Sequence, residues 1–454
     1  MNVHERLAAL GAAVPTLLIP REGTDLKKWA VIACDQYTRD PSYWERVRNE
    51  AGDSPSTLDI IFPEVYLEEK NRGERIEAIR AAMKQFLAEC PVEKGRFSDT
   101  AEYGANGGFF SRLEGFMYVE RDTPCRAGRR GLVLALDMEC YDWRDGAQTL
   151  IRSTEGTVPE RILARMEIRR GAPLESPHIM ALLDDSENFL LPGLGERARR
   201  GAARYDTELM LGAGRARGWL LDREDDWEFL AGGLETLRRR SPFLYAMGDG
   251  NHSLAAAKAV WDEYKTKHAG EAGLENHPAR WVLVELENLY DPALSFEPIH
   301  RALFGASLDE ISEALKPLAG FSRRDLGTGE AARREAVELA AREDPCLTRY
   351  ILVSGGRCVA LETKPAALAV EPLQNLLDGF LQNHPAVSID YLHGAGEVFR
   401  VAEGIDAVGI LLPPFRKEGL FETVARRGAL PRKSFSMGES DEKRFYLECR
   451  KLFG

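Results

Sequence analysis

Apolar and polar positions along the 454 residues alternate between two textures, short apolar runs of strand length and stretches with apolar residues at helical spacing. "KWAVIACDQYT" (28–38) predicts a buried strand that empties into a polar turn. Residues 65–90 predict a helix with a break at Gly73. "GGFFSRLEGFMYVERDT" and "RGLVLALDMECYDW" have strand character, with a loop from Pro124 to Gly131 between them. "TLIRSTEGTVPERI" starts as a strand, turns polar, and enters a helix at 159–166 with Pro159 in its first turn. "FLYAM" and "RWVLVELENL" (280–289) read as buried strands. In "SLDEISEALKPLAG", Leu308, Ile311 and Leu315 lie at helical spacing, and "EAARREAVELAARED" is a charged amphipathic helix. "RYILVSGGRCVALET" predicts a hairpin around Gly355-Gly356, and "DAVGILLPP" (406–414) a strand ended by prolines. The mixture predicts an α/β fold with a mixed sheet, or α+β. Changes of texture suggest regions 1–125, 126–305 and 306–454, across which strands could return to one sheet.

The stretch "FLYAMGDGNHSLAAAKAVWDEY" (243–264) carries the strongest local signal. An apolar strand stops at Gly248. Leu254, Ala257, Val260, Trp261 and Tyr264 then mark one face of a helix. Asp249, Gly250, Asn251, His252 and Ser253 fall at the joint. The first N–H groups of a helix lack partners within it and carry the positive end of its dipole, which suits an anion. Gly250 lets the backbone approach a ligand. His252 could donate to a phosphate or relay a proton, and Asp249 could accept a hydroxyl proton or hold Mg²⁺. The plain alternative is that Asp249 or Asn251 merely caps the helix, worth about 1 kcal/mol.

Further polar clusters fall at strand ends and turns. Arg152, Ser153, Thr154, Glu155, Gly156 and Thr157 form a polar row that would serve as a phosphate cradle or as a capped loop. Cys34, Asp35, Gln36 and Tyr37 follow an apolar run, where open α/β sheets place ligands. Asp35 and Gln36 are the candidate substrate contacts. Cys34 reads as a structural thiol, because no base stands beside it in sequence. His300 and Arg301 in "FEPIHRALF" would complete a pocket or cap a helix. Arg432, Lys433 and Ser434 would form a basic turn returning to the anion pocket or part of a solvated tail. His178 in "ESPHIM" is a weaker candidate of the same kind.

Net charge of −12 argues against nucleic acid or an anionic membrane surface as a bulk partner. Between 150 and 217 the balance differs: eleven Arg, no Lys and ten acidic residues give about +1. Arg without Lys suits bidentate holding of phosphate or carboxylate, and equally suits structural ion pairs. Seven cysteines, with no CxxC pair, fit a reduced cytoplasmic protein. There is no secretory pattern at the start and no apolar stretch of membrane-spanning length. Histidine spacing indicates no metal site, and a homo-oligomer is compatible with the sequence. GxxxxGK[ST], GxSxG and HExxH are absent. The glycines of "GAGRARG" (212–218) read as a turn rather than a dinucleotide loop.

Taken together, "VIACDQYT", "TLIRSTEGTVPERI", "SPHIMALLDD", "MGDGNHSLAAAK", "HRALF" and "PRKSFSMGE" resemble the bacterial and archaeal family known as domain of unknown function 1015, nearly end to end. That family's usual Asp-Gly-His-His-Arg motif is similar to the Asp-Gly-x-His/Gln-Arg signature of the ParB/sulfiredoxin-like superfamily. There the motif sits at a strand–helix joint and holds nucleotide phosphates. An archaeal ADP-dependent serine kinase belongs to that wider group. The resemblance therefore implies a ParB/sulfiredoxin-like core with additional N- and C-terminal elements. It also implies a phosphate-bearing small-molecule ligand, ATP or ADP with Mg²⁺ as cofactor, and small-molecule phosphotransfer with a hydroxylated acceptor such as serine. Nucleotide sensing without turnover is the second implication. This chain keeps Asp249, Gly250 and His252 of the motif, with Asn251 where His is commoner and Ser253 where Arg is expected. The missing positive charge would come from Arg152, Arg301 or Lys433.

Overall fold

The computed structural model describes residues 1–38, 40–88, 108–144, 146–404, 406–431 and 433–453. Cys90, Arg432 and the end of the helix expected to reach 90 lie outside them. Contacts divide the chain into two compact units, Met1–Leu294 with Ser440–Gly454, and Ser295–Glu439. The boundary expected near 125 falls in the loop between Phe116–Asp122 and Arg129–Asp137, two strands that pair with each other.

Among the described residues, the first unit is built on a nine-stranded mixed sheet. From one edge its order is Ile151–Arg152, Tyr245–Asp249, Met180–Leu183, Trp281–Asn288, Arg129–Asp137, Phe116–Asp122, Arg215–Leu221 and Tyr205–Glu208, with Ala12–Ala13 also on Arg129–Asp137. Tyr245–Asp249 runs parallel to Ile151–Arg152 and antiparallel to Met180–Leu183. The apolar runs become the central strands: every residue of Met180–Leu183 is buried, as are Val282 to Asn288. Helix Asn251–Lys267 follows Tyr245–Asp249 directly, and helix Pro159–Arg169 packs on it through Ile162, Met166, Ala255, Ala256 and Val260.

"VIACDQYT" departs from the strand it predicts. Leu26–Trp29 is helical, and residues after it are extended but stay out of the large sheet. They pair instead with the end of the chain. Tyr446 N donates to Val31 O at 2.8 Å, Ala33 N to Arg444 O at 2.8 Å, and the Trp29 indole N–H to Leu447 O at 3.0 Å. The buried apolar side chains of this run reflect that packing. "TLIRST" contributes only the two-residue strand Ile151–Arg152.

The second unit holds a seven-stranded antiparallel sheet among the described residues. Its order is Ser322–Thr328, Arg357–Thr363, Thr348–Ser354, Ala407–Leu411, Phe296–Phe304 and Ser388–His393, and Phe435–Met437 pairs with the start of Phe296–Phe304. The hairpin predicted around Gly355-Gly356 is present. The protein is thus mixed α/β, with one mixed and one antiparallel main sheet.

Candidate functional site

The corner at 249–253 is built by the sheet edge. Pairing of Tyr245–Asp249 with Met180–Leu183 shifts register between Met247 and Asp249, and the chain then reverses at Gly250. Gly250 has φ 82° and stands at the cap position of helix Asn251–Lys267. No side chain among the described residues caps that helix. The capping alternative therefore does not describe this joint: Asp249 Oδ1 accepts from the Gly250 N–H at 2.8 Å, one residue short of the helix. The first-turn N–H groups stay directed out of the helix end.

Four stretches distant in sequence converge here. The first is the loop after Ile151–Arg152. Val158 N donates to His252 Nε2 at 3.2 Å, which puts the proton of the neutral ring on Nδ1. The second is the turn before Met180–Leu183. His178 Nε2 lies 2.9 Å from Ser253 Oγ, and its Nδ1 lies 3.0 Å from the Tyr446 hydroxyl. The third is Cys34–Tyr37: Cys34 N donates to the Tyr446 hydroxyl at 3.1 Å, and Gln36 donates to Asp35 Oδ1 at 3.0 Å. The fourth is the C-terminal segment. Lys443, with a side chain only 8% exposed, places Nζ 3.0 Å from Asp249 Oδ2.

Charge and burial tune these groups. Burial pushes the Asp249 carboxyl up, but Lys443 and the Gly250 N–H outweigh it and hold the pKa below its usual value. A carboxylate held that way is a weak proton acceptor and a good partner for a cation. Burial drives His178 below the usual imidazole range, against the pull of Asp35 and Asp249, so the ring is neutral at pH 7. Burial pushes the Glu64 carboxyl up to about 7, with the Arg165 guanidinium, which donates to it, pulling back. The Cys34 thiol is raised by burial and by Asp35 and Glu64, which makes it a poor nucleophile.

The row at 152–157 divides. Arg152 donates to Gln148 Oε1 at 2.7 Å and Thr149 O at 3.2 Å, and lies over the Phe243 ring. Ser153 Oγ is 2.8 Å from the Tyr141 hydroxyl, and Thr154 Oγ1 donates to Met247 O at 2.5 Å. These three brace the sheet edge, so the expected cradle is not one continuous surface. Glu155, Gly156 and Thr157 lie in the loop beyond, partly exposed. Thr157 Oγ1 and Asn251 Oδ1 are both buried atoms without a hydrogen-bond partner among the described residues, an arrangement that calls for one.

His300 and Arg301 lie in a strand of the second unit rather than at a helix cap. His300 Nδ1 accepts from Leu412 N at 3.1 Å, and Arg301 donates to Gln374 Oε1 at 3.1 Å. Lys433 is exposed in the same unit, with φ 58°. The cation that meets Asp249 is Lys443, which the sequence reading missed. "SDEKRFYLE" reads as a polar tail, and only the short run Phe445-Tyr446-Leu447 hints at burial. The described residues hold no cluster of three or more His, Cys, Asp or Glu side chains arranged for a metal ion, and no helix long and apolar enough to cross a membrane.

Fold and corner together define a mixed α/β protein with a polar strand–turn–helix corner next to the edge strand of its mixed sheet. The chain belongs to the DUF1015 family, "Protein of unknown function", whose model matches residues 18–94 and 99–380. No curated protein matches it. Among solved structures it is similar to a conserved hypothetical protein from Pyrococcus furiosus, at 12% identity over 69% of this chain and 90% of that one, TM-score 0.33. It is also similar to a free serine kinase in complex with AMP, at 12% identity over 71% and 91%, TM-score 0.35. SbnI with a C-terminal truncation, from Staphylococcus aureus, matches at 10% identity over 69% and 85%, TM-score 0.34.

Proposed function

We propose that the 249–253 corner binds the phosphate end of a nucleotide or phosphorylated small metabolite and serves phosphoryl transfer to a small hydroxylated acceptor. The observation that carries this reading is the uncapped helix start with Lys443 beside it. N–H groups directed out of a helix start and a screened ammonium at one corner are what a phosphate needs. In this reading His252, its Nε2 accepting from Val158 N, stands beside the anion. Asn251 and Thr157 supply polar atoms that lack a partner. Gly250 and Ser253 line the approach, and Glu155 and Gly156 border it. Asp249 orients Lys443 and the turn, and with a cation such as Mg²⁺ would share it with the phosphates. Asp35 and Gln36 face the acceptor. Donor candidates are ATP and ADP. A ParB/sulfiredoxin-like core is part of the same proposal.

A second reading, nucleotide sensing without turnover, is favoured by one observation: Asp249 is already paired with Lys443 and held ionised, so it is ill suited to take an acceptor proton. A thermal-shift series with ADP, ATP and pyrophosphate, with and without Mg²⁺, tests both. A ligand at 100 times its Kd should stabilise the fold by about 2.7 kcal/mol. No shift with any of them on the folded protein refutes both readings. A shift without phosphorylated product across a panel of small alcohols leaves sensing.

A further inference from the structure

Ser253, His178 and Tyr446 form one hydrogen-bonded line at the corner. His178 Nε2 is 2.9 Å from Ser253 Oγ, and Tyr446 Oη is 3.0 Å from His178 Nδ1. Tyr446 is itself fixed, being 2% exposed and accepting from Cys34 N at 3.1 Å. A hydroxyl within reach of an imidazole that a third group orients is the arrangement of an activated nucleophile. We propose that Ser253 is a nucleophile, with His178 as its general base and Tyr446 as the residue that positions the ring. This deepens the phosphotransfer reading and rests on it for the identity of the electrophile, the terminal phosphorus of a nucleoside di- or triphosphate.

The protonation states are consistent. With Nδ1–H donating to Tyr446 Oη, the Nε2 lone pair faces Ser253. Burial keeps the ring neutral at pH 7 and able to take a proton. In the first step Ser253 Oγ bonds to phosphorus and its proton passes to Nε2. The phosphorus–oxygen bond to the nucleotide breaks, and its electron pair leaves with the nucleotide phosphate. In the second step the acceptor hydroxyl attacks the phosphoserine and loses its proton to solvent. Ser253 Oγ leaves and regains its proton from His178. The neighbouring hydroxyls have no such base. Ser153 is engaged by Tyr141, and Thr154 donates to a backbone carbonyl.

A fluorophosphonate tests the nucleophile without knowledge of the substrate. Oγ would bond to its phosphorus, fluoride would leave, and the proton would pass to His178. Peptide mass spectrometry should find the adduct on Ser253 of the wild-type protein and none on Ser253→Ala. His178→Gln should label about 100-fold more slowly, the usual worth of a general base, and Tyr446→Phe should fall in between. Ser153→Ala should label as wild type. Each variant's melting temperature is taken in parallel, since a purely structural line would alter melting and leave no adduct. Incubation with ATP and Mg²⁺ should add a phosphoryl group to the same peptide. Failure of folded wild-type protein to label at Ser253 with both reagents overturns the proposal even if phosphate compounds bind. Labelling by the fluorophosphonate without binding of any phosphate compound supports the nucleophile and refutes the phosphotransfer reading.

Discussion

Lys443 holds its ammonium 3.0 Å from the Asp249 carboxylate and ties the C-terminal segment to the start of helix Asn251–Lys267. Its side chain is largely withdrawn from water, so removing one partner costs more than breaking a surface ion pair. Lys443→Met should cost about 2 kcal/mol in urea unfolding, chiefly by leaving a half-buried carboxylate unpaired. Adding Asp249→Asn should recover much of that stability but none of the nucleotide-induced thermal shift, because the cation is gone. Lys443→Arg should retain the shift. Acid titration gives a second check. Asp249 titrates below its usual value of 3.8 in the folded protein, so its contribution is present above pH 4 and lost as pH falls through the depressed value. Lys443→Met should flatten that acid limb.

Gly250 is the hinge of the corner. Its φ of 82° is left-handed, and a Cβ there would stand 3.1 Å from Ile179 Cα and Cγ1. Gly250→Ala should therefore cost about 1–2 kcal/mol from the backbone alone. Displacement of the first helical turn should weaken the response to ADP or ATP as well. Gly156→Ala is the control: it has ordinary φ and open space within 4 Å, and should melt as wild type.

These two residues differ in how far the sequence reveals them. Gly250 sits between an apolar run and an amphipathic stretch, so period and small size locate the turn. The helix begins at Asn251, as the spacing of Leu254, Ala257, Val260 and Trp261 requires. Lys443 is invisible to that logic. Its segment pairs with residues near the other end of the chain, as in the Trp29–Leu447 bond across 418 positions, and no local pattern encodes a partner so remote. The same remoteness misleads at "VIACDQYT". An apolar run signals burial, but not which neighbour supplies the ladder. Arg152, Ser153 and Thr154 mislead for another reason. Polar side chains at a sheet edge satisfy neighbouring carbonyls and hydroxyls as readily as a ligand, and composition does not separate the two. His178 gave the weakest local signal of the histidines weighed as candidates, yet it lies between Ser253 and Tyr446 because two antiparallel strands set Asp249 opposite Met180.

The C-terminal segment is held by a buried charge network. Arg444, with a side chain 3% exposed, donates to Glu285 and, at 2.5 Å, to Glu448. Arg121 also donates to backbone carbonyls at Asp441 and Glu442. Arg444→Met would strand two buried carboxylates, and a loss of about 3–5 kcal/mol is expected. Hydrogen exchange should show the effect in residues 440–453 and in their partners at 29–34. Replacing all three charges, with Glu285→Gln and Glu448→Gln added, should recover part of the loss. If Arg444→Met alone leaves stability unchanged, the network is not what anchors the segment.

His300 gives the second unit a pH dependence of its own. Burial first, then Arg301 and His393, lowers its pKa from 6.5 to about 4, and its Nδ1 accepts from Leu412 N–H. The folded form therefore binds the proton less readily than the unfolded chain does. Stability from this group is complete above pH 6.5, declines as pH falls through the interval from 6.5 to 4, and has been lost by about 3 kcal/mol below it. His300→Asn keeps an acceptor without a titrating ring. The difference in unfolding free energy between wild type and His300→Asn should shift against wild type as pH drops from 7 to 4.5. It should not vary between pH 7 and 8. A difference that stays constant from 7 to 4.5 would show that His300 titrates alike in both states.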